Sequence, residues 1–76
     1  MGAAEKCLKI AAELEESDDM ANAGKYYIQA AEEYVANGKP KKAINCYADA
    51  QFCFESVKNA AKVEEVKKLI EQLEAK

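Results

Sequence analysis

Cys46 and Cys53 stand seven residues apart, so on a helix they share a side, yet helical rise alone separates their Cα atoms by about 10.5 Å. A disulfide cannot span that distance. Together with Cys7 or Asp49 they would suit a thiol-based or metal-responsive switch, but closed zinc sites use a tighter pair such as Cys-x-x-Cys. The three cysteines are therefore expected to pack as small apolar residues beside a core. Histidine is absent, which removes the commonest general base and the Glu-x-x-His pairs that hold di-iron centres in helical bundles. Ser17 and Ser56 fall where helices are expected to start, and a hydroxyl there serves as a cap. The chain is read as a non-enzyme, with no cofactor and no metal.

Charge clusters are the next candidates. Glu13, Glu15, Glu16, Asp18 and Asp19 crowd one expected turn, and Lys39, Lys41 and Lys42 crowd the next. In an up-and-down arrangement these turns lie at opposite ends. The plain reading is a solvated surface, with Asp18 and Asp19 well placed at a helix N-terminus. The sharper one is a molecule polarised end to end, whose acidic tip attracts basic partners or the basic tip of another copy. The net charge is −3 and every cation is a lysine. Without the bidentate guanidinium fork that reads phosphate and guanine edges, nucleic-acid binding is not expected. No run reaches the roughly 18 apolar residues that cross a bilayer, and the N-terminus lacks a secretory core. A cytoplasmic protein without membrane insertion or a disulfide scaffold is the expectation.

The elements that must position these residues show in a spacing of twenty. Ala23, Tyr27, Ala30 and Tyr34 recur as Ala43, Tyr47, Ala50 and Phe54, and a weaker copy precedes them in Ala3, Cys7, Ile10 and Leu14. Steps of four, three and four place each set on one stripe of a helix. Low-entropy helix formers dominate the composition. Ser17 and Asp18 are N-cap candidates for the second helix. Gly38 and Pro40 end one helix and start the next. Helices are expected at 3–16, 19–37 and 40–56. Continuing the third at about 100° per residue would turn Val63, Val66, Ile70 and Leu73 away from Tyr47 and Phe54. A turn near Ser56 to Asn59 restores one core, and a fourth helix is expected at 59–75. All 76 residues form one domain, short enough to leave little margin of stability.

The second and third helices resemble a tetratricopeptide repeat. Tyr27, Ala31 and Tyr34 match its first helix, and Ala43, Tyr47 and Ala50 its second. Ala30 stands where that family usually has a larger aliphatic residue, and Glu55 where it often has Pro. The longer helices, and the stretch from Lys42 to Tyr47, are similar in style to soluble NSF attachment proteins. The resemblance covers about half of the chain and implies an all-α fold: four antiparallel helices in two tetratricopeptide-like hairpins, as a short right-handed solenoid or a bundle. It also implies protein binding. The Lys, Arg and Asn set with which such domains hold a C-terminal carboxylate has no equivalent on the matched helix.

The expected function is a protein-interaction module, an adaptor or scaffold that binds a helix or peptide of a partner. On the second helix Ile28, Gln29, Glu32 and Val35 form a mixed groove suited to an amphipathic or extended apolar segment. On the fourth, Val66, Leu69, Ile70 and Leu73 make an apolar surface broader than one packed neighbour covers. The alternative is a homo-oligomeric assembly unit, a homodimer being its simplest form, because two hairpins leave unfinished faces. A cysteine-based redox or metal switch is the third reading.

Overall fold

The computed structural model describes residues 2–75, so Met1 and Lys76 of the single domain read from the sequence lie outside the described residues. Four helices follow one another: α1 (Ala3–Glu16), α2 (Met20–Ala36), α3 (Pro40–Ser56) and α4 (Ala60–Glu74). The fold is all-α, as expected, with each helix antiparallel to the one before it. Among the described residues the helices pack backbone to backbone only on their neighbours in the chain: α1 on α2, α2 on α3, α3 on α4. The Cα atoms fill a flat slab of 33 × 31 × 12 Å. The arrangement is an open stack rather than a closed bundle, since α4 does not return to α1.

One turn is used three times. Asp18, Gly38 and Lys58 take the left-handed conformation, with φ of 61°, 73° and 58°. At each, the amide of the next residue donates to a carbonyl five residues back: Asp19 to Leu14, Lys39 to Tyr34, Asn59 to Phe54, at 2.8, 2.8 and 2.9 Å. The amides of Asp18, Gly38 and Lys58 donate to Glu15, Val35 and Glu55. This is a Schellman termination, which satisfies the last carbonyls of a helix. It needs three residues between helices, and that corrects the expected caps. Ser17 is the C-cap of α1 and Asp18 the left-handed residue, which leaves Asp19 as N-cap of α2. Asp19 accepts from the Asn22 side chain at 2.9 Å. Ser56 ends α3 and donates to the Phe52 carbonyl, while Asn59 caps α4 by accepting from the Lys62 amide at 3.2 Å.

The core follows the repeated stripe. Ala23, Tyr27, Ala30 and Tyr34 of α2 are buried, and so are Ala43, Tyr47, Ala50 and Phe54 of α3. Cys46 and Cys53 are buried beside them. Gly24 permits a close approach: a Cβ there would meet the Phe54 ring at 2.8 Å. In α1 the stripe read from the sequence is not the buried one. Ala4 and Ala11 are covered instead, whereas Ala3 is exposed and Ile10 is 38% exposed. The reason is positional, because among the described residues α1 packs on α2 alone and turns toward it. No described helix is long and apolar enough to cross a membrane.

Candidate functional site

An open stack leaves a furrow between alternate helices. One, of about 450 Å³, runs between α2 and α4 over α3 and is lined by Val35, Tyr47, Leu69, Gln72, Leu73 and Ala75. The other, of about 210 Å³, lies between α1 and α3 over α2, where Leu8 and Tyr34 meet the more polar Lys42, Asn45, Cys46 and Asp49. A third hollow, about 320 Å³, sits at the α3–α4 turn and is bordered by Glu55, Lys58 and Glu64. The first is the one with an apolar wall on two helices and an aromatic floor.

Its origin lies in the sequence of α4. At the positions twenty residues after Tyr47 and Phe54, α4 carries Lys67 and Glu74, both exposed. Those side chains seek water, so α4 packs instead through Val63 and Val66, with Leu69, Ile70 and Leu73 half-buried. No large ring from α4 fills the space in front of Tyr47. Val35 is left 41% exposed on the opposite wall.

Tyr47 also differs from its counterparts in what its hydroxyl does. The Tyr27 hydroxyl donates to Glu15 of α1, and the Tyr34 hydroxyl donates to Glu5 of α1 at 2.8 Å. Among the described residues no carboxylate accepts from Tyr47. Burial, and then the negative charge of Glu32, push the Tyr47 phenol above its ordinary value. It therefore stays a neutral donor, at the floor of an apolar furrow rimmed by Gln72. A neutral hydroxyl among aliphatic side chains can orient a docked segment without fixing its sequence.

The residues singled out from the sequence are only partly brought together. Val35, Leu69 and Leu73 share the furrow, and Glu32 acts on Tyr47 from nearby. Ile28 is half-buried against the core. Gln29 accepts from the Cys7 thiol of α1 at 3.8 Å. Ile70 packs on the core beside Val63 and Val66. Val66 is 0% exposed, which corrects its assignment to a surface: it seals α4 onto α3 and meets no partner while α4 stays docked. Tyr47, Gln72 and Ala75 were missed as lining residues. The available signal was Lys67, a charge where α2 and α3 place a tyrosine.

The thiols sit apart from this furrow. Burial, with Asp49 as a lesser cause, pushes Cys46 up to about 11, and burial with Glu15 and Asp49 pushes Cys53 up to about 11. A thiol that stays protonated is a poor nucleophile and a poor metal ligand. Among the described residues no group of three Cys, Asp or Glu side chains is placed to hold a metal ion. The polarity expected between the two ends is tempered by the folding itself. Glu5 joins the lysine-rich end, where the Tyr34 hydroxyl and then Lys39 and Lys42 hold its carboxyl below the usual range. Lys58, in the third turn, joins the acidic end. No family model matches the chain, and neither a curated protein nor a solved structure is significantly similar to it.

Proposed function

We propose that this chain is a protein-interaction module, and that the furrow between α2 and α4 takes an apolar segment of a partner protein. The observation that carries this reading is the furrow itself: two aliphatic walls, Val35 on one side and Leu69 and Leu73 on the other, over Tyr47. Helix-in-groove recognition uses this geometry, with apolar anchors spaced three or four residues apart entering between two helices. The likeness to tetratricopeptide and attachment-protein repeats, carried by Tyr27, Ala31, Tyr34, Ala43, Tyr47 and Ala50, supports the same reading. The neutral thiols give less support to a redox or metal switch, since no thiolate is stabilised.

The test is a selection of peptides from a random helical library, followed by NMR mapping of where the selected peptides bind. Shifts should concentrate on Val35, Tyr47, Leu69 and Leu73, and Leu73→Glu should weaken binding by about 100-fold, the effect of losing one buried anchor. Equal binding by the Leu73→Glu chain, with its helicity intact, would remove the furrow as the site.

A further inference from the structure

Each helix of the twenty-residue unit has two working sides. One carries the small-large-small-large stripe and faces the preceding helix. The other, one residue further on, faces the following helix, as Gly24 does toward Phe54. In α1 the second side is used, through buried Ala4 and Ala11. Its first side, made of Ala3, Cys7, Ile10 and Leu14, has no preceding helix among the described residues. Ala3 and Ile10 are exposed there, and Cys7 and Leu14 are half-buried, whereas the matching residues of α2 and α3 are all covered. The far end of the stack is finished differently. On α4 the side that would face a following helix presents Glu64 and Glu71, both exposed.

We propose that the uncovered side of α1 is a self-association surface, occupied by α1 of a second copy running antiparallel about a twofold axis. The stripe is complementary to itself. An axis between residues 8 and 9 sets Ala3 beside the partner's Leu14 and Cys7 beside the partner's Ile10, so every layer joins a small side chain to a large one. Steps of four, three and four are the d and a positions of a heptad, and antiparallel helices mate a with d. The flank of the stripe adds charge. Lys6 and Glu13 lie seven residues apart on that side, too far along one helix, at about 10.5 Å of rise, to pair with each other. Neither enters an ion pair among the described residues. The same axis brings Lys6 to the partner's Glu13, twice by symmetry.

A head-to-tail stack is the competing geometry, and it fits worse. It would press Glu64 and Glu71 against Ile10, removing two carboxylates from water on a flank where Lys6 is offset by Glu13. The symmetric contact is therefore favoured over one that would build a filament. With only the 14 residues of α1 in the contact, the interface falls below the roughly 1,200 Å² of standard stable complexes, so association is weak and concentration-dependent.

Sedimentation of the whole chain over a wide concentration range tests this, with Ile10→Glu, Lys6→Glu and the exchange Lys6→Glu with Glu13→Lys as variants. All three positions are exposed, and circular dichroism establishes that each variant keeps its helices. The wild type should form a dimer, Ile10→Glu should raise the dissociation constant at least about tenfold, Lys6→Glu should raise it less, and the exchange should restore it. A chain that stays monomeric throughout overturns the proposal. So does a dimer that Ile10→Glu leaves unchanged, an exchange that restores nothing, or a dimer lost on Leu73→Glu but not on Ile10→Glu.

Discussion

Phe54 of α3 lies against Gly24 of α2 with 1% of its surface exposed, while the residue at the same place in α4, Glu74, stands in water. The two junctions come from one repeating unit with the same turn and the same antiparallel sense. What separates them is the residue offered to the gap between helices. A ring entering beside a glycine closes the α2–α3 junction; Lys67 and Glu74 leave the α3–α4 junction ajar, and the opening becomes the furrow over Tyr47. A repeat thus opens a furrow by placing charges where α2 and α3 carry rings.

The largest expected effect measures that difference directly. Phe54→Ala should cost about 3–5 kcal/mol, since a filled site with a glycine neighbour cannot collapse further. Tyr47→Ala should cost less, about 2–3 kcal/mol, because its ring borders the furrow and water can enter the space it leaves. Urea denaturation of both variants gives the order, and a Tyr47 cost equal to or above that of Phe54 would mean that the furrow is closed in solution.

Next in size is the approach at Gly24. Alanine gains about 1 kcal/mol of helix propensity over glycine. A Cβ at 2.8 Å from the Phe54 ring is an overpacking contact that costs about 1–3 kcal/mol. A net loss of about 0–2 kcal/mol is expected from Gly24→Ala, and Phe54→Leu in the same chain should recover part of it by withdrawing the ring edge. If Gly24→Ala stabilises the protein, the α2–α3 junction is looser than its geometry and the contrast with α4 narrows.

The same contrast explains what could be read from the sequence. The aromatic stripe of α2 and α3 was legible because both helices have neighbours on two sides, so a residue's place in the unit decides its burial. The end of α2 and the start of α3 were legible because Gly38 and Pro40 mark them. In α1 the copy of the stripe is present in the sequence, yet Ile10 is exposed, because periodicity names a face and says nothing about whether another helix covers it. The turns at Asp18 and Lys58 carry no glycine, so the left-handed residue there left no signal and the caps were placed one to three residues early. Of the furrow, Val35 and Leu69 were found as apolar residues beyond the core stripes, and Leu73 as a member of the α4 stripe. Tyr47 was read only as core, since a residue can be buried at its ring and still floor an opening.

Turn chemistry gives a smaller prediction. Gly38 takes its left-handed φ without penalty, but Lys58 holds a φ of 58° with a Cβ that crowds the adjoining carbonyl, at roughly 1–2 kcal/mol. Lys58→Gly would make the α3–α4 turn match the α2–α3 turn. Glycine also frees the unfolded chain, so the net gain should be about 0.5–1 kcal/mol. A rise in thermal midpoint with unchanged helicity is the expected result, and a fall would show that the Lys58 side chain has a stabilising contact of its own.

The smallest effect concerns the tyrosine hydroxyls, which the two sides of the molecule treat differently: Tyr34 donates to Glu5, while Tyr47 faces the furrow. The bond from Tyr34 is the leading reason that the Glu5 carboxyl is held below its ordinary 4.5, followed by its own backbone; desolvation opposes them, and Lys39 and Lys42 each add less. A carboxylate whose folded pKa is depressed adds stability that is fully present above its unfolded value and is lost as pH falls through the folded one. The wild type should therefore lose stability between the unfolded value of Glu5 and the lower folded value. Tyr34→Phe removes the hydroxyl but keeps the ring, so its pH dependence in that window should be shallower, and the two proteins should converge at the acid end. Because Glu5 is solvent-exposed, salt should shrink the part owed to Lys39 and Lys42 and spare the part owed to the hydrogen bond. Tyr47→Phe serves as the comparison and should leave the acid limb unchanged. An equal change from both substitutions would mean that Glu5 owes its shift to the lysine-rich end of the stack and not to Tyr34.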